Sequence, residues 1–140
     1  MSNHLSTDAI VIGAGIIGTA IAFELSKAGR RTICVDRAPK AGYGSTSSSC
    51  AIIRVHYSTL EGTAFAFDAY HDWDDWSGYL GVAASSELDE ARFHETGCLV
   101  MKTQGNGYLT KILDNVRTLS IPYEEWDEDE ITRRLPGYDL

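Results

Sequence analysis

Asp8-Ala9-Ile10-Val11-Ile12 is a short apolar run of the kind a buried parallel strand carries, and it passes directly into Gly13-Ala14-Gly15-Ile16-Ile17-Gly18. A helix-like segment follows, then a second apolar run, Thr32-Ile33-Cys34-Val35, which ends in Asp36. Strand, Gly-x-Gly-x-x-Gly, helix, strand and terminal acid together form a complete βαβ dinucleotide-binding pattern. In such a pattern Gly13 permits the tight turn, Gly15 has no side chain to obstruct a pyrophosphate, and Gly18 lets helix and strand pack closely. The helix N-terminus, at Ile16 and Ile17, offers N–H groups and partial positive charge to the phosphates. Asp36 lies where a carboxylate accepts hydrogen bonds from a ribose. The pattern alone does not separate FAD from NAD.

The 140 residues suffice for one ordinary domain with a hydrophobic core. A formal net charge of -8 and a pI near 4.8 argue against nucleic acid or an anionic membrane as partner, because no basic stripe is present. No apolar run reaches the roughly 18 residues of a spanning helix. The opening Met-Ser-Asn-His-Leu-Ser-Thr lacks a signal peptide's charged and apolar regions, so a cytoplasmic location is expected. Cys34, Cys50 and Cys98 show no paired or metal-like spacing and read as reduced thiols, with Cys34 a small core residue. The histidines show no ligand spacing, and no metal is expected.

The first helix is predicted over about residues 16–28, with Gly29 capping its end and Arg30 and Arg31 following at the negative end of its dipole. Ile17, Ala20, Ile21 and Leu25 form its expected inward face. After Asp36 comes a loop rich in Gly and hydroxyl residues, running from Arg37 through Pro39, Gly42 and Gly44 to Ser49 and Cys50. Set directly behind the ribose-binding strand, such a loop can present N–H groups and hydroxyls to phosphates.

Ser58-Thr59-Leu60-Glu61 has capping-box spacing, with Ser58 as the expected N-cap. The helix it opens would carry Ala66, Tyr70, Trp73, Trp76 and Leu80 on one side as packing residues, loosened near Gly78 and Gly81. Residues 98–101 read as a short strand, Leu109 to Leu119 as an amphipathic helix, and residues 122–126 as another strand. Asp127 with Glu130 begins a last short helix, stopped by Pro136-Gly137. A complete doubly wound sheet needs more βα units than these, so the chain reads as the front part of a larger enzyme or one piece of a split one.

The run Gly44-Ser45-Thr46-Ser47-Ser48-Ser49-Cys50-Ala51-Ile52-Ile53-Arg54-Val55-His56-Tyr57 resembles the segment after the second strand in FAD-dependent amine oxidoreductases of the D-amino-acid oxidase family. Within that family the glycine oxidase and monomeric sarcosine oxidase branches look nearest. The resemblance continues in Thr96-Gly97-Cys98-Leu99-Val100 and in residues 129–137, and so spans nearly the whole chain. It implies an α/β fold: a Rossmann-type βαβ FAD-binding part with its phosphate and flavin loop over residues 1–58. Residues 59–140 would then be a mixed α+β segment leading into a substrate-binding region.

The resemblance further implies that Asp36 and Arg37 flank the adenosine, and that Ser45 and Thr46 face the pyrophosphate and ribityl region. The backbone of Ser49, Cys50, Ala51 and Ile52 would run beside the isoalloxazine ring. Arg54 would bind a substrate carboxylate bidentately, with Tyr57 lining the same site. The family pattern places a second arginine three residues before this one, where the chain has Ala51. The loop also lacks the histidine through which some relatives attach FAD, so non-covalent FAD is expected at this segment. No general base stands out, and His56 reads as a lining or packing residue.

The implied activity is oxidation of the C–N bond of a secondary amine or N-methyl amino acid to an imine. A flavin dehydrogenase subunit passing electrons to a quinone or partner chain, a non-catalytic FAD-binding subunit and an NAD-dependent enzyme are the alternatives. A completing polypeptide, or a homo- or hetero-oligomer, is the expected macromolecular partner.

Overall fold

A computed structural model describes residues 6–82, 91–102 and 105–137. The chain divides into two compact units, Met1–Ile52 and Ile53–Leu140.

In the first unit, strand β1 (Ala9–Ile12), helix α1 (Ile16–Lys27) and strand β2 (Thr32–Val35) follow one another as the glycine pattern requires. The strands pair in parallel, Ala9 with Thr32 through Ile12 with Val35. Their register is pinned at its start by Asp8, whose carboxylate takes the Arg31 backbone N–H at 2.9 Å and its guanidinium at 2.8 Å. The α1 helix closes in a Schellman turn: Gly29, at φ +74°, donates to the Ser26 carbonyl, and Arg30 donates to that of Leu25.

Two expectations fail in this unit. Of the expected inward face of α1, Leu25 is half-buried, together with Gly18, Ala22 and Phe23, while Ile17, Ala20 and Ile21 are exposed. Cys34 is exposed as well and is no core residue. Gly18 is drawn against the Gly13 turn and Val11, which sets its own stripe of α1 toward the strands. Among the described residues the sheet has two strands, and one of its faces, carrying Ile10 and Ile12, is exposed.

The second unit contains helices α2 (Leu60–Asp74), α3 (Trp76–Leu80), α4 (Gly107–Thr118) and α5 (Glu128–Arg134). The helix N-cap expected at Ser58 is instead Thr59, and no side-chain bond closes a capping box there. The single long helix is broken at Asp75, whose side chain accepts from the Gly78 N–H at 3.1 Å and starts α3 afresh. Gly78 suits this closure, since a Cβ there would meet the Asp75 carboxylate at 2.0 Å. The aromatic side chains do pack, with Trp73 stacked on Trp76 at 4.6 Å and Trp76 on Tyr79 at 5.2 Å.

Helix α5 begins at Asp127 as its sequence suggests, while α4 begins at Gly107, two residues before the expected Leu109. Asn106 accepts from the Tyr108 N–H, and Asp127 from that of Glu130. Residues 98–101 and 122–126 are not strands. A β-like residue pattern forms a strand only against a pairing partner, and neither segment has a ladder neighbour among the described residues. The buried apolar residues here are Val116 and Ile121. They bracket the Schellman turn that ends α4, where Ile121 donates to the Val116 carbonyl at 2.9 Å.

Candidate cofactor site

The first unit draws three separate stretches of chain together around the start of α1. Gly13 stands at φ +104°, a conformation L side chains rarely adopt, and turns the chain out of β1. A Cβ on Gly18 would lie 1.7 Å from the Gly13 carbonyl oxygen, so the helix can approach the turn only because Gly18 has no side chain. Gly15 is the extended N-cap of α1. A Cβ there would come within 3.1 Å of the Thr46 hydroxyl.

Asp36, at the end of β2, reaches back into this turn. One carboxylate oxygen accepts the Ala14 N–H at 2.6 Å and the other the Ala38 N–H at 2.7 Å. The Ala14 bond chiefly, then that from Ala38, with the neighbouring Arg37 charge adding, holds its pKa below the ordinary carboxylate value. Asp36 is therefore ionised at neutral pH, and it braces the glycine turn as well as ending the strand.

The Gly- and Ser-rich loop comes back over the same place. Gly42 donates to the Ala14 carbonyl at 2.6 Å, and the Thr46 hydroxyl accepts the Ile16 N–H at 2.9 Å. The loop holds its own shape through Ser47 and Ser48, both bonded to the Gly44 carbonyl. It ends with Ser49, whose hydroxyl accepts the Ala51 N–H at 3.1 Å. Ala51 itself sits at φ +53°, in the left-handed region. Ser45, Cys50 and Ile52 are exposed along this stretch.

This arrangement fits an anion. The first turn of α1 contains no acidic residue. Its leading N–H groups lack acceptors within the helix and carry the positive end of the dipole. Thr46, accepting from Ile16, retains its own proton to donate. Of the residues the sequence pointed to, Gly13, Gly15, Ile16, Gly18, Asp36 and Thr46 are joined by these contacts, and Ile17 stands in the first turn of α1. Among the described residues no hydrogen bond draws Arg37, Ser45, Ser49, Cys50, Ala51 or Ile52 into the turn. Ala14 and Gly42, the backbone pair that ties loop to turn, were not among the expected site residues. Their only signals were the middle position of Gly-x-Gly and a chain-breaking glycine.

In the second unit Arg54 and Tyr57 are brought together, the guanidinium carbon 5.3 Å from the ring centre. Among the described residues no carboxylate lies within ion-pairing distance of Arg54. Half-buried His56, two residues on, has its pKa lowered by burial first and then by the charges of Arg54 and Lys102. His56 is thus a neutral imidazole at pH 7, beside two cations.

Comparison with known proteins places these features in context. The family model described as FAD dependent oxidoreductase matches residues 8–140. Monomeric sarcosine oxidase of Bacillus sp. (strain B-0618) is 30% identical over 139 residues, which is 98% of this chain and 33% of that protein. Peroxisomal sarcosine oxidase of Homo sapiens is 28% identical over 95% of this chain and 32% of its own length. Glycine oxidase of Bacillus licheniformis is 43% identical over 61 residues, 43% of this chain and 16% of its own. The chain thus spans about a third of the length of the sarcosine oxidases it matches. No solved structure gives a significant match.

Proposed function

The chain belongs to the DAO family of FAD-dependent oxidoreductases, and from that premise we propose that residues 8–52 hold the ADP half of a non-covalently bound FAD. The enzyme of which they form a part oxidises the C–N bond of a secondary amine or N-methyl amino acid. The observation that carries this reading is the meeting of Gly15, the α1 N-terminus and Thr46, with the Ile16 N–H 2.9 Å from the Thr46 hydroxyl. Phosphate oxygens would bind the Ile17 and Gly18 N–H groups at the start of α1 and the Thr46 hydroxyl, which already accepts from Ile16. The ribose would bind the Asp36 carboxylate, whose oxygens still have lone pairs beyond those given to Ala14 and Ala38. Ser45 would support the phosphate end, and Ser49 to Ile52 would lie along the flavin ring.

FAD, held by these residues when bound, would supply the redox chemistry of C–N oxidation. The chain's own contribution is position and electrostatics. Arg54 would grip the substrate carboxylate with its planar fork, and Tyr57 would support that fork from one face. The neutral His56 adds no third positive charge and can accept a hydrogen bond. A dehydrogenase using an acceptor other than oxygen is the second reading. It is favoured by Ala51, which contributes no charge where the family pattern has an arginine.

The test is flavin retention. Gly15→Val brings a branched side chain against Thr46 and into the phosphate space, so the purified protein should lose its flavin absorbance. A variant that kept a full complement of flavin would remove the phosphate-turn assignment.

A further inference from the structure

Thr63 is fully buried, a rare state for a hydroxyl residue in a chain with so much exposed surface. Its oxygen accepts the Tyr57 N–H at 3.3 Å and lies 3.2 Å from the Tyr57 carbonyl and 3.0 Å from that of Thr59. The bond to Thr59, one turn back along the helix, is the ordinary use of a threonine within a helix. Its one proton is shared between the Thr59 and Tyr57 carbonyls, and the contacts to Tyr57 go beyond ordinary helix use because they reach both polar groups of one residue that lies outside α2. A third bond reaches the same residue from α4: the Asn115 side-chain N–H donates to the Tyr57 carbonyl at 3.0 Å. Gly62 completes the enclosure. A Cβ there would meet the Thr59 hydroxyl at 2.7 Å and the Tyr57 Cβ at 3.5 Å.

The two helices therefore converge on Tyr57, whose ring carries the Arg54 guanidinium. Fixing the Tyr57 backbone fixes where its ring stands, and the ring in turn limits the rotamers open to Arg54. We infer that Thr63 and Asn115 are positioning residues that set the Arg54–Tyr57 pair for binding a carboxylate, acting through the Tyr57 backbone and touching no substrate themselves. The inference rests on the reading of Arg54 and Tyr57 given above.

The experiment is steady-state kinetics of the intact, flavin-loaded protein on an N-methyl amino acid and on the matching amine without its carboxylate. Thr63→Val keeps the shape and removes the hydroxyl. It should raise KM for the amino acid roughly 5- to 10-fold, the worth of one lost hydrogen bond, with kcat and flavin content within about twofold. KM for the decarboxylated amine should not move. Thr63→Ser should restore the amino-acid KM. Asn115→Ala, which leaves α2 and its buried hydroxyl in place, should shift KM in the same direction by a smaller factor and serves where the valine variant does not fold. Lower thermal stability with unchanged KM in Thr63→Val and Asn115→Ala would make both purely structural and overturn the inference. Arg54→Ala separates that failure from failure of the underlying reading. If it slows both substrates equally, Arg54 is no carboxylate clamp and the inference falls with it. If it impairs only the amino acid while Thr63→Val changes nothing, the positioning role alone is wrong.

Discussion

A side chain can be tolerated in a left-handed backbone conformation only when the surroundings demand that conformation more strongly than the residue resists it. Ser120, at φ +55°, is such a case. It occupies the position after α4 where a Schellman turn most often places glycine, and its N–H donates to the Arg117 carbonyl at 3.1 Å. The burial of Val116 and Ile121 on either side keeps the turn closed. Ser120→Gly relieves the Cβ strain of about 1–2 kcal/mol, partly offset by the greater freedom of glycine in the unfolded chain. A net gain of about 0.5–1 kcal/mol in a denaturant melt is expected. Equal or lower stability would mean that the hydroxyl is needed where it stands. The glycines of the first unit obey the same rule with function attached. Gly13 and Gly18 were legible in the sequence because their spacing is set by backbone sterics, which do not depend on the rest of the fold.

At the scale of elements, the legible parts are those whose causes are local. The β1–α1–β2 order, the Gly29 cap and the Asp127 start of α5 all follow from residues within one turn of the event. Helix α4 begins two residues earlier than the apolar spacing from Leu109 suggests, capped by Asn106. The misread parts depend on distant partners. Residues 98–101 carry strand-like side chains but lack a ladder neighbour among the described residues. The break after Asp74 is the exception, a local one, where Asp75 takes the Gly78 N–H. The Thr63 and Asn115 bonds to Tyr57 were invisible too, since they bring side chains from two different helices onto one residue of the irregular stretch before α2.

The irregular stretch before α2 has a measurable consequence. His56 has a pKa below its ordinary value of 6.5, through burial and then Arg54 and Lys102. Between that lowered pKa and 6.5 the unfolded chain binds more protons than the folded one, so stability rises with pH across this window. The contribution is fully present above about pH 6.5 and lost as pH falls below it. Urea midpoints should therefore drop from pH 7.5 to pH 5.5, and His56→Gln should flatten the difference. An identical drop in the variant would show that His56 is not the group responsible.

At the largest scale, the sheet of the first unit, two strands among the described residues, leaves one face uncovered. Parallel strands with continuous apolar sequence are normally covered on both faces. Here α1 covers one face of β1, while Ile12 on the other is 88% exposed and Ile10, two residues away on the same face, is 62% exposed. The hydrophobic pattern of β1 reads in the sequence as that of a buried parallel strand; the parallel strand forms, but no residue of it is buried. The face left bare was not legible, because periodicity reports what a strand is suited to and not what lies against it. Exposed apolar surface of this kind binds apolar dyes and promotes self-association. The 140-residue chain should accordingly enhance the fluorescence of an apolar dye, and Ile10→Thr with Ile12→Thr should cut that enhancement by at least about half. Threonine retains the β-branched shape strands favour. Stability should therefore change by less than the roughly 0.5 kcal/mol usual for surface substitutions. A loss of 2 kcal/mol or more would mean that these isoleucines are packed in solution, against a second copy or another part of the chain. In that case the protein concentration dependence of the melt would tell the two apart, since only packing against a second copy makes the midpoint rise with concentration.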